Sequence, residues 1–375
     1  MSKKLGQYFT VSEALQQFVF DHVKHKGSLL LEPSFGAGHL LKKFKEADPN
    51  YPMEGYEVDQ TIRPVIDPNE HQTLVYGDFT THTLDKKYRT IVGNPPYVKQ
   101  RTGNLYIKFI ELCLDSLEDD GELVFIVPSD FLKLTSASAV LTRMAAEGSF
   151  TDFLFPHDEK LFEGASIDVV VFRYEKGLHT DEARVNGEPQ PYTVANGILT
   201  FGQGVGTPIG DRFHVYVGLV SGRDEVYRND LGSLALLTDK DKVQNFIFPE
   251  TFPTGNAAVD AHLLANKDAL LARKIRAFKE ENWFEWGAPR NLKSIRANLG
   301  KPCIYVRTMT RKSEVAFCGT VQHFGGTLLC LIPKGEEPLE KVVEFLNTPE
   351  FQKEYMYAGR FKIGHKQICN VLIPV

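Results

Sequence analysis

The sequence predicts an α/β protein with a doubly wound sheet, followed by a second domain of mixed α+β structure. Apolar runs of buried-strand type alternate with segments of helical spacing over about the first 175 residues, which is the pattern of successive βαβ units. The first four strand signals each end in a loop with glycine or polar side chains, so their carboxyl ends are expected to share one ligand-facing edge. After residue 206 the periodicity weakens, which favours a separate domain.

Turn signals and hydrophobic periodicity predict the domain boundary and the individual helices and strands. Two Asn-Gly pairs, at 186–187 and 196–197, predict β-hairpin turns, and the glycines that follow predict a linker near residue 206. We therefore place the domains at residues 1–206 and 207–375. Helical spacing and apolar runs predict helices over 11–24, 39–44, 105–117, 131–147 and 256–280, and strands over 28–31, 53–59, 72–76, 90–93, 122–128, 166–174 and 215–220.

The composition is that of an ordinary soluble protein, with 42% hydrophobic and 24% charged residues in 375. A run of about 18 apolar residues is missing, so we expect no membrane span, and the N-terminus lacks the apolar core of a signal peptide. Five scattered cysteines without a Cys-x-x-Cys pair indicate reduced thiols, a cytoplasmic location and no metal site.

The net charge of −5 does not by itself indicate nucleic acid binding, but the charge is unevenly distributed. A basic segment, residues 267–312, contains twelve lysine or arginine residues and four acidic residues, which leaves a formal charge of +8. Its interleaved aromatic residues suit contacts to phosphates and bases but are equally typical of a core: Trp283, Phe284, Trp286 and Tyr305.

A glycine-rich loop, Glu32 to Gly38, follows the first strand and lets the main chain approach a nucleotide-like ligand. It has neither the G-x-G-x-x-G spacing of dinucleotide sites nor a P-loop lysine, so neither NAD nor ATP is favoured. The acidic Glu32 suits a ligand with a cationic centre. Glu57 ends the next strand, where βαβ units commonly bind a ribose, and Asp78 follows the third strand.

The fourth strand ends in Asn94-Pro95-Pro96-Tyr97. Two prolines make this turn stiff and leave its carbonyl groups free of neighbouring main-chain donors. An amide oxygen beside a main-chain oxygen gives two acceptors for an exocyclic amino group, and Tyr97 offers a flat face for a planar ring. The turn therefore predicts a substrate with an NH₂ group on a planar ring.

In this order, the motifs resemble those of γ-class, Taq-type adenine-N6 DNA methyltransferases, which use S-adenosylmethionine. The resemblance covers most of residues 5–175, beginning with Leu5-Gly-Gln-Tyr-Phe-Thr10, and is weaker over 207–375. It implies a Rossmann-like methyltransferase sheet, a C-terminal target recognition domain, and methyl transfer to N6 of an adenine flipped out of duplex DNA. It also implies these cofactor-binding residues: Tyr8, Phe9, Thr10, Glu32, Pro33, Ser34, Gly36, Ala37, Gly38, Glu57, Val58, Asp78, Phe79 and Asn94.

For catalysis, the resemblance implies that Asn94 and Pro95 accept hydrogen bonds from the target amine while Tyr97 stacks on the base. The family places a second aromatic residue of a late strand against the other face of the base. Tyr174 fits that place best, with Phe172 as the reserve.

Three alternative functions remain open. N4-cytosine methylation presents the same amine, a glutamine-modifying protein methyltransferase uses the same turn, and a nucleic-acid-binding subunit could keep a silent cofactor pocket. The resemblance favours a cytoplasmic bacterial or viral monomer that acts on double-stranded DNA, with a possible cognate restriction endonuclease acting separately and no membrane partner.

Overall fold

The computed structural model describes residues 10–82, 86–100, 103–156, 167–202 and 206–373. The chain divides into two compact units, Met1–Gly204 and Val205–Val375, two residues from the boundary expected at 206. Among the described helices, none is both long and apolar enough to cross a membrane.

The first unit alternates strands and helices along most of its length. Its described helices are α1 (Glu13–His22), α2 (His39–Ala47), α3 (Leu105–Ser116) and α4 (Ser138–Glu147). Its described strands are β1 (Leu30–Glu32), β2 (Met53–Glu57), β3 (Gln72–Tyr76), β4 (Tyr88–Gly93), β5 (Lys99–Gln100), β6 (Gly103–Asn104), β7 (Leu117–Pro128), β8 (Gly148–Leu154), β9 (Val169–Lys176), β10 (Glu182–Val185), β11 (Glu188–Ala195) and β12 (Ile198–Phe201).

A ten-stranded sheet organises this unit, in the order β12-β11-β10-β8-β9-β7-β4-β1-β2-β3. The run from β3 to β7 is parallel, and β9 lies antiparallel between β7 and β8. From β1 the chain moves outward first through β2 and β3 and then, in the other direction, through β4 and β7. The predicted doubly wound, Rossmann-like α/β fold is confirmed, and its switch point lies between β1 and β4.

Both faces of the central strands are buried, which explains why they read as continuous apolar runs. Leu31 and Ile91 belong to one hydrophobic cluster, while Leu30 and Val92, one residue away on the same strands, belong to another. Because side chains alternate along a strand, the two clusters lie on opposite faces of the sheet. The register pairs Leu31 with Ile91, so the segments after β1 and β4 emerge side by side.

Two local predictions in this unit differ in their outcome, and one strand was missed. The hairpin turns are confirmed, since Asn186-Gly187 joins β10 to β11 and Asn196-Gly197 joins β11 to β12, all four with positive φ. The helix predicted over 131–147 begins only at Ser138, after two 3₁₀ turns. Strand β8 was not predicted, because its glycine and aspartate obscure the apolar alternation.

The second unit is mixed α+β, as predicted. Its described helices are α5 (Ile209–Arg212), α6 (Asp224–Tyr227), α7 (Ala257–Ala265), α8 (Lys267–Leu271), α9 (Leu292–Ala297), α10 (Leu339–Leu346), α11 (Pro349–Lys353) and α12 (His365–Cys369). Its described strands are β13 (Thr207–Pro208), β14 (Phe213–Val217), β15 (Leu234–Asp239), β16 (Lys242–Phe246), β17 (Pro302–Arg307), β18 (Met309–Thr310), β19 (Ala316–Thr320), β20 (Leu328–Pro333), β21 (Met356–Tyr357), β22 (Arg360–Lys362) and β23 (Leu372–Ile373).

An antiparallel sheet in the order β14-β20-β17-β19 forms the centre of the second unit, with a separate sheet of β18, β22 and β21. The single helix predicted over 256–280 is wrong, because α8 ends at Leu271. The buried Arg273 side chain then donates to the main-chain oxygens of Leu270, Ser221, Glu285 and Trp283. These bonds hold residues 272–287 in a folded-back loop instead of a continued helix.

Candidate active site

A cavity of about 280 Å³ lies at the carboxyl ends of β1 to β4. This is the edge at which open α/β sheets bind ligands, next to the switch point of the sheet. Most of the residues predicted to bind a cofactor line it: Thr10, Glu32, Pro33, Ser34, Gly36, Ala37, Glu57, Val58, Asp78, Phe79 and Asn94.

The glycine-rich loop after β1 is shaped by its main chain. Gly36 and Gly38 have φ of 55° and 76°, a region that residues with a Cβ atom seldom adopt. The Phe35 N–H donates to the Tyr56 carbonyl, and the Gly36 N–H donates to Glu57 Oε2 at 2.9 Å. The loop is thereby tied to β2, and its turn opens directly into α2.

Two buried carboxylates, Glu32 and Glu57, line the cavity. Glu32 is 2% exposed, and among the described residues its Oε2 has no hydrogen-bond partner. Burial and the negative charge of Glu57 raise the pKa of Glu32 well above its usual 4.5. Burial also raises the pKa of Glu57, whose oxygens accept from the Gly36 and Asp59 N–H groups. A buried carboxylate in this state is strongly stabilised by a cationic ligand.

The loops after β2 and β3 add an apolar surface and a third acidic side chain. Val58 is 52% exposed although it is apolar, and it lines the cavity. Phe79 is buried against Phe109, with ring centroids 5.6 Å apart. The exposed Asp78 accepts from the main-chain N–H and the hydroxyl of Thr80, which orients its carboxylate at the cavity edge.

The turn after β4 holds Asn94 in a defined orientation. Asn94 Nδ2 donates to Thr10 Oγ1 at 3.0 Å, and Asn94 Oδ1 accepts from the Tyr97 hydroxyl at 2.6 Å. The Ser34 hydroxyl lies 3.5 Å from the Asn94 main-chain oxygen, which connects the turn to the glycine-rich loop. The first glutamate, the glycine-rich loop and the amide are therefore brought together at one cavity.

Several predicted residues lie elsewhere. Pro95, Tyr97 and Gly38 are not among the lining residues, and Tyr8 and Phe9 lie outside the described part of the chain. Tyr97 uses its hydroxyl to bind Asn94 and its ring to pack against Tyr106.

The assignment of Tyr174 and Phe172 to a base-stacking position is corrected by the structure. Both side chains are 0% exposed and neither lines the cavity. Burial raises the pKa of Tyr174, and its hydroxyl donates to the Met144 carbonyl inside the core. Phe172 stacks on Phe131, with centroids 5.7 Å apart. These aromatic residues belong to the core that joins β9 to the rest of the sheet.

The sequence reasoning did not name some of the residues that line the cavity. Leu105 and Phe109 are four residues apart on α3, so they lie on the same face of the helix that follows the Asn94 turn. His39 opens α2, and burial with the nearby charge of Lys42 lowers its pKa. Helical spacing after each strand-end motif was the signal that would have identified them.

In the second unit, much of the basic segment is internally paired. Trp283, Trp286 and Tyr305 are 3% exposed or less and belong to its hydrophobic core. Arg307 is buried against Asp239, and other cations of the segment pair with acidic residues: Lys267 with Glu280, Arg276 with Glu285, Lys279 with Glu281, Arg296 with Glu250 and Lys312 with Asp239.

Five exposed cations of the basic segment make no ion pair with a described residue: Lys274, Arg290, Lys293, Lys301 and Arg311. They are the part of the segment that remains available to a polyanion. The described residues also include no group of three or more His, Cys, Asp or Glu side chains placed to hold a metal ion.

Comparison with known proteins agrees with the motifs at the level of restriction-modification methylases. Residues 26–162 match the family model described as Eco57I restriction-modification methylase. This segment resembles restriction-modification methylases. It contains the glycine-rich loop, the acidic strand ends and the Asn94 turn, so the predicted resemblance is confirmed for this part of the chain.

Curated relatives match the same part of the chain. Type II methyltransferase M.HincII of Haemophilus influenzae is 28% identical over 209 residues, which are 49% of this chain and 40% of the relative. Modification methylase CviBIII of Paramecium bursaria Chlorella virus NC1A is 31% identical over 144 residues, 34% of this chain and 38% of the relative. The chain spans about two fifths of the length of these relatives.

A solved structure extends the similarity in fold. The cryo-EM structure of a DrdV–DNA complex matches with a TM-score of 0.54 and 11% identity, covering 88% of this chain and 49% of that chain. At this identity the match concerns the fold alone, and it includes parts of both units.

Proposed function

We propose that this protein is a site-specific DNA methyltransferase that transfers the methyl group of S-adenosylmethionine to N6 of an adenine in duplex DNA. One observation carries the proposal: a buried carboxylate without a described partner, Glu32, shares a cavity with the side chain of Asn94. The Glu32 carboxylate is stabilised by a cationic group, and the Asn94 side chain offers an amide oxygen to an amine.

The cofactor fits the donor and acceptor groups of the cavity. Its ammonium group would give Oε2 of Glu32 the missing hydrogen bond and offset the repulsion from Glu57. Its ribose would lie against Glu57, and its adenine between Val58 and the loop of Asp78 and Phe79. The methionine end would then point towards Thr10 and Asn94, where the methyl group is needed.

The chemistry requires position more than a covalent intermediate. An aromatic amine is a weak nucleophile because its lone pair is conjugated with the ring. An acceptor at Asn94 that binds one amine proton favours a pyramidal nitrogen whose lone pair points at the sulfonium methyl group. As the N–C bond forms, the C–S bond would break with its electron pair on sulfur. Positive charge would grow on the amine, where the same acceptor stabilises it in the transition state, and the amine would then release a proton to water.

The target base cannot reach such a cavity from within a duplex. It must leave the base stack, at a cost of a few kcal/mol. The second unit would hold the DNA through its exposed cations, which suit contacts to phosphate groups. The relatives named as type II methyltransferases support DNA as the substrate. We likewise propose that a cognate restriction endonuclease acts separately from this protein.

Methyl transfer to DNA tests this proposal. The protein is incubated with duplex DNA and methyl-labelled S-adenosylmethionine, with Asn94→Ala as the inactive control. We expect label in DNA for the wild type and a loss of at least about 100-fold in the variant, which lacks the transition-state acceptor. Label that appears only in added protein would instead identify a glutamine-modifying enzyme, and cofactor binding without transfer would identify a binding subunit.

A further inference from the structure

The amide of Asn94 is bonded at both of its ends. The terminal torsion of an asparagine is broad, so one hydrogen bond leaves the plane of the amide poorly defined. In this protein the nitrogen is held by Thr10 at 3.0 Å and the oxygen by Tyr97 at 2.6 Å. Bonds at both ends restrict the rotation of the amide plane.

The two partners are themselves anchored. Thr10 is 6% exposed, and its main-chain oxygen accepts a hydrogen bond from Gln16 Nε2 on α1 at 2.7 Å. The Tyr97 hydroxyl also lies 3.1 Å from the main-chain oxygen of Ile126, a fully buried residue of β7. The amide is therefore held between groups attached to α1 and to the neighbouring strand of the sheet.

The two partners differ in their position relative to the cavity. Thr10 lines the cofactor cavity with Asn94, whereas Tyr97 does not line it and packs against Tyr106. Asn94 Nδ2 is therefore bonded to a residue that lines the cavity, and Asn94 Oδ1 is bonded to a residue that does not.

We propose that Thr10 and Tyr97 are positioning residues, whose hydroxyl groups fix the plane of the Asn94 amide in the orientation that binds the amine receiving the methyl group. This inference rests on the proposed function. It assigns the orientation of Asn94 to the hydroxyl group of Tyr97 and not to the ring, so a variant that keeps the ring should still lose that orientation. It also gives Thr10 a role distinct from contact with the cofactor.

Hydroxyl deletions test the inference. Tyr97→Phe keeps the ring and removes the donor to Asn94 Oδ1, and Thr10→Val removes the acceptor for Nδ2 with little change in shape. We expect each variant to slow single-turnover methyl transfer at saturating cofactor and DNA by about tenfold, the usual worth of one neutral hydrogen bond. The KM for DNA should stay within about twofold of the wild type for both variants. The Kd for S-adenosylmethionine should stay within about twofold for Tyr97→Phe, since Tyr97 does not line the cavity. Thr10→Ser, which keeps the hydroxyl group, should restore the rate.

Tyr192→Phe is the matched control. Tyr192 belongs to the same unit, and its hydroxyl accepts from the Phe150 N–H and lies 3.3 Å from the Thr180 carbonyl, but it does not line the cavity. Loss of the Tyr192 hydroxyl group should lower the free energy of unfolding without slowing methyl transfer. This control separates an effect on Asn94 from a general effect of losing a buried hydroxyl group.

Three results would overturn the inference. A Tyr97→Phe protein that transfers methyl groups at the wild-type rate would show that the hydroxyl group is not needed for positioning. A Thr10→Val protein with a weaker Kd for the cofactor and an unchanged transfer rate would make Thr10 a cofactor ligand only. A wild-type protein that labels no DNA would overturn the proposed function and, with it, this inference.

Discussion

Replacing Glu32 by glutamine should improve the stability of the free protein and impair cofactor binding. In the wild type this carboxyl is 2% exposed, has an oxygen without a described partner and lies near Glu57. Its pKa is raised above 4.5, so the folded protein holds the proton more tightly than the unfolded chain does. As the pH rises from 4.5 through the folded-state pKa, the wild type loses stability that the glutamine variant keeps.

The expected changes in stability and in cofactor affinity both arise from the buried carboxyl group of Glu32. Each unit of pKa difference corresponds to about 1.4 kcal/mol, so the stability difference between variant and wild type should grow by about 1.4 kcal/mol per pH unit within this window. A hydrogen bond to a charged group contributes about 1.5–3 kcal/mol, so its loss should weaken cofactor binding by roughly 10- to 150-fold.

Denaturant unfolding from pH 4.5 to 8, together with calorimetric titration of S-adenosylmethionine, measures both effects. Glu54→Gln is the matched control, since this 7%-exposed carboxylate does not line the cavity. Although burial acts to raise its pKa, hydrogen bonds from Lys86, Tyr56 and Tyr88 lower it. The control should therefore be less stable than the wild type above pH 4.5 and bind the cofactor normally. A pH-independent stability difference for Glu32→Gln, or an unchanged Kd, would refute the reasoning.

Other substitutions separate catalysis, folding and DNA binding. Asn94→Ala should abolish methyl transfer while the Kd for cofactor, measured by calorimetry, changes by less than about fivefold, because one neutral contact is lost. Arg273→Ala should destabilise the protein by about 3 kcal/mol or more in denaturant unfolding, because four main-chain oxygens lose their donor, whereas the exposed neighbour Lys274→Ala should change stability by less than about 0.5 kcal/mol. Arg290→Ala and Lys293→Ala should each reduce the slope of log affinity for DNA against log salt by about 0.9 if they contact a phosphate, with folding unchanged. Equal slopes in the wild type and the variants would show that neither Arg290 nor Lys293 contacts a DNA phosphate.

The parallel sheet and the position of its cavity could be predicted because each depends on local sequence. A strand signal followed by Glu32 or Asn94 places that residue at the carboxyl edge wherever the strand lies in the sheet. This rule sufficed to place the acidic residues and the amide at one edge of the sheet.

Contacts between distant segments could not be predicted in the same way. The alternation in β9 places Phe172 and Tyr174 on one face, but only the fold shows that this face packs against Phe150 and the core. The buried ion pair of Arg173 with Glu122 joins residues 51 positions apart. Likewise, Arg307 belongs to the basic segment, but the structure buries it against Asp239, which comes from another segment of the chain.

The identity of the methylated nucleoside tests the central claim most directly. DNA methylated by the wild-type protein with labelled S-adenosylmethionine is digested to nucleosides, which are separated by chromatography and identified by mass. The proposed mechanism predicts label in N6-methyladenine, at one recurring sequence context, and none with Asn94→Ala. Label in N4-methylcytosine would contradict the adenine assignment while leaving the amine chemistry of the Asn94 turn in place, and unlabelled DNA would contradict the account as a whole.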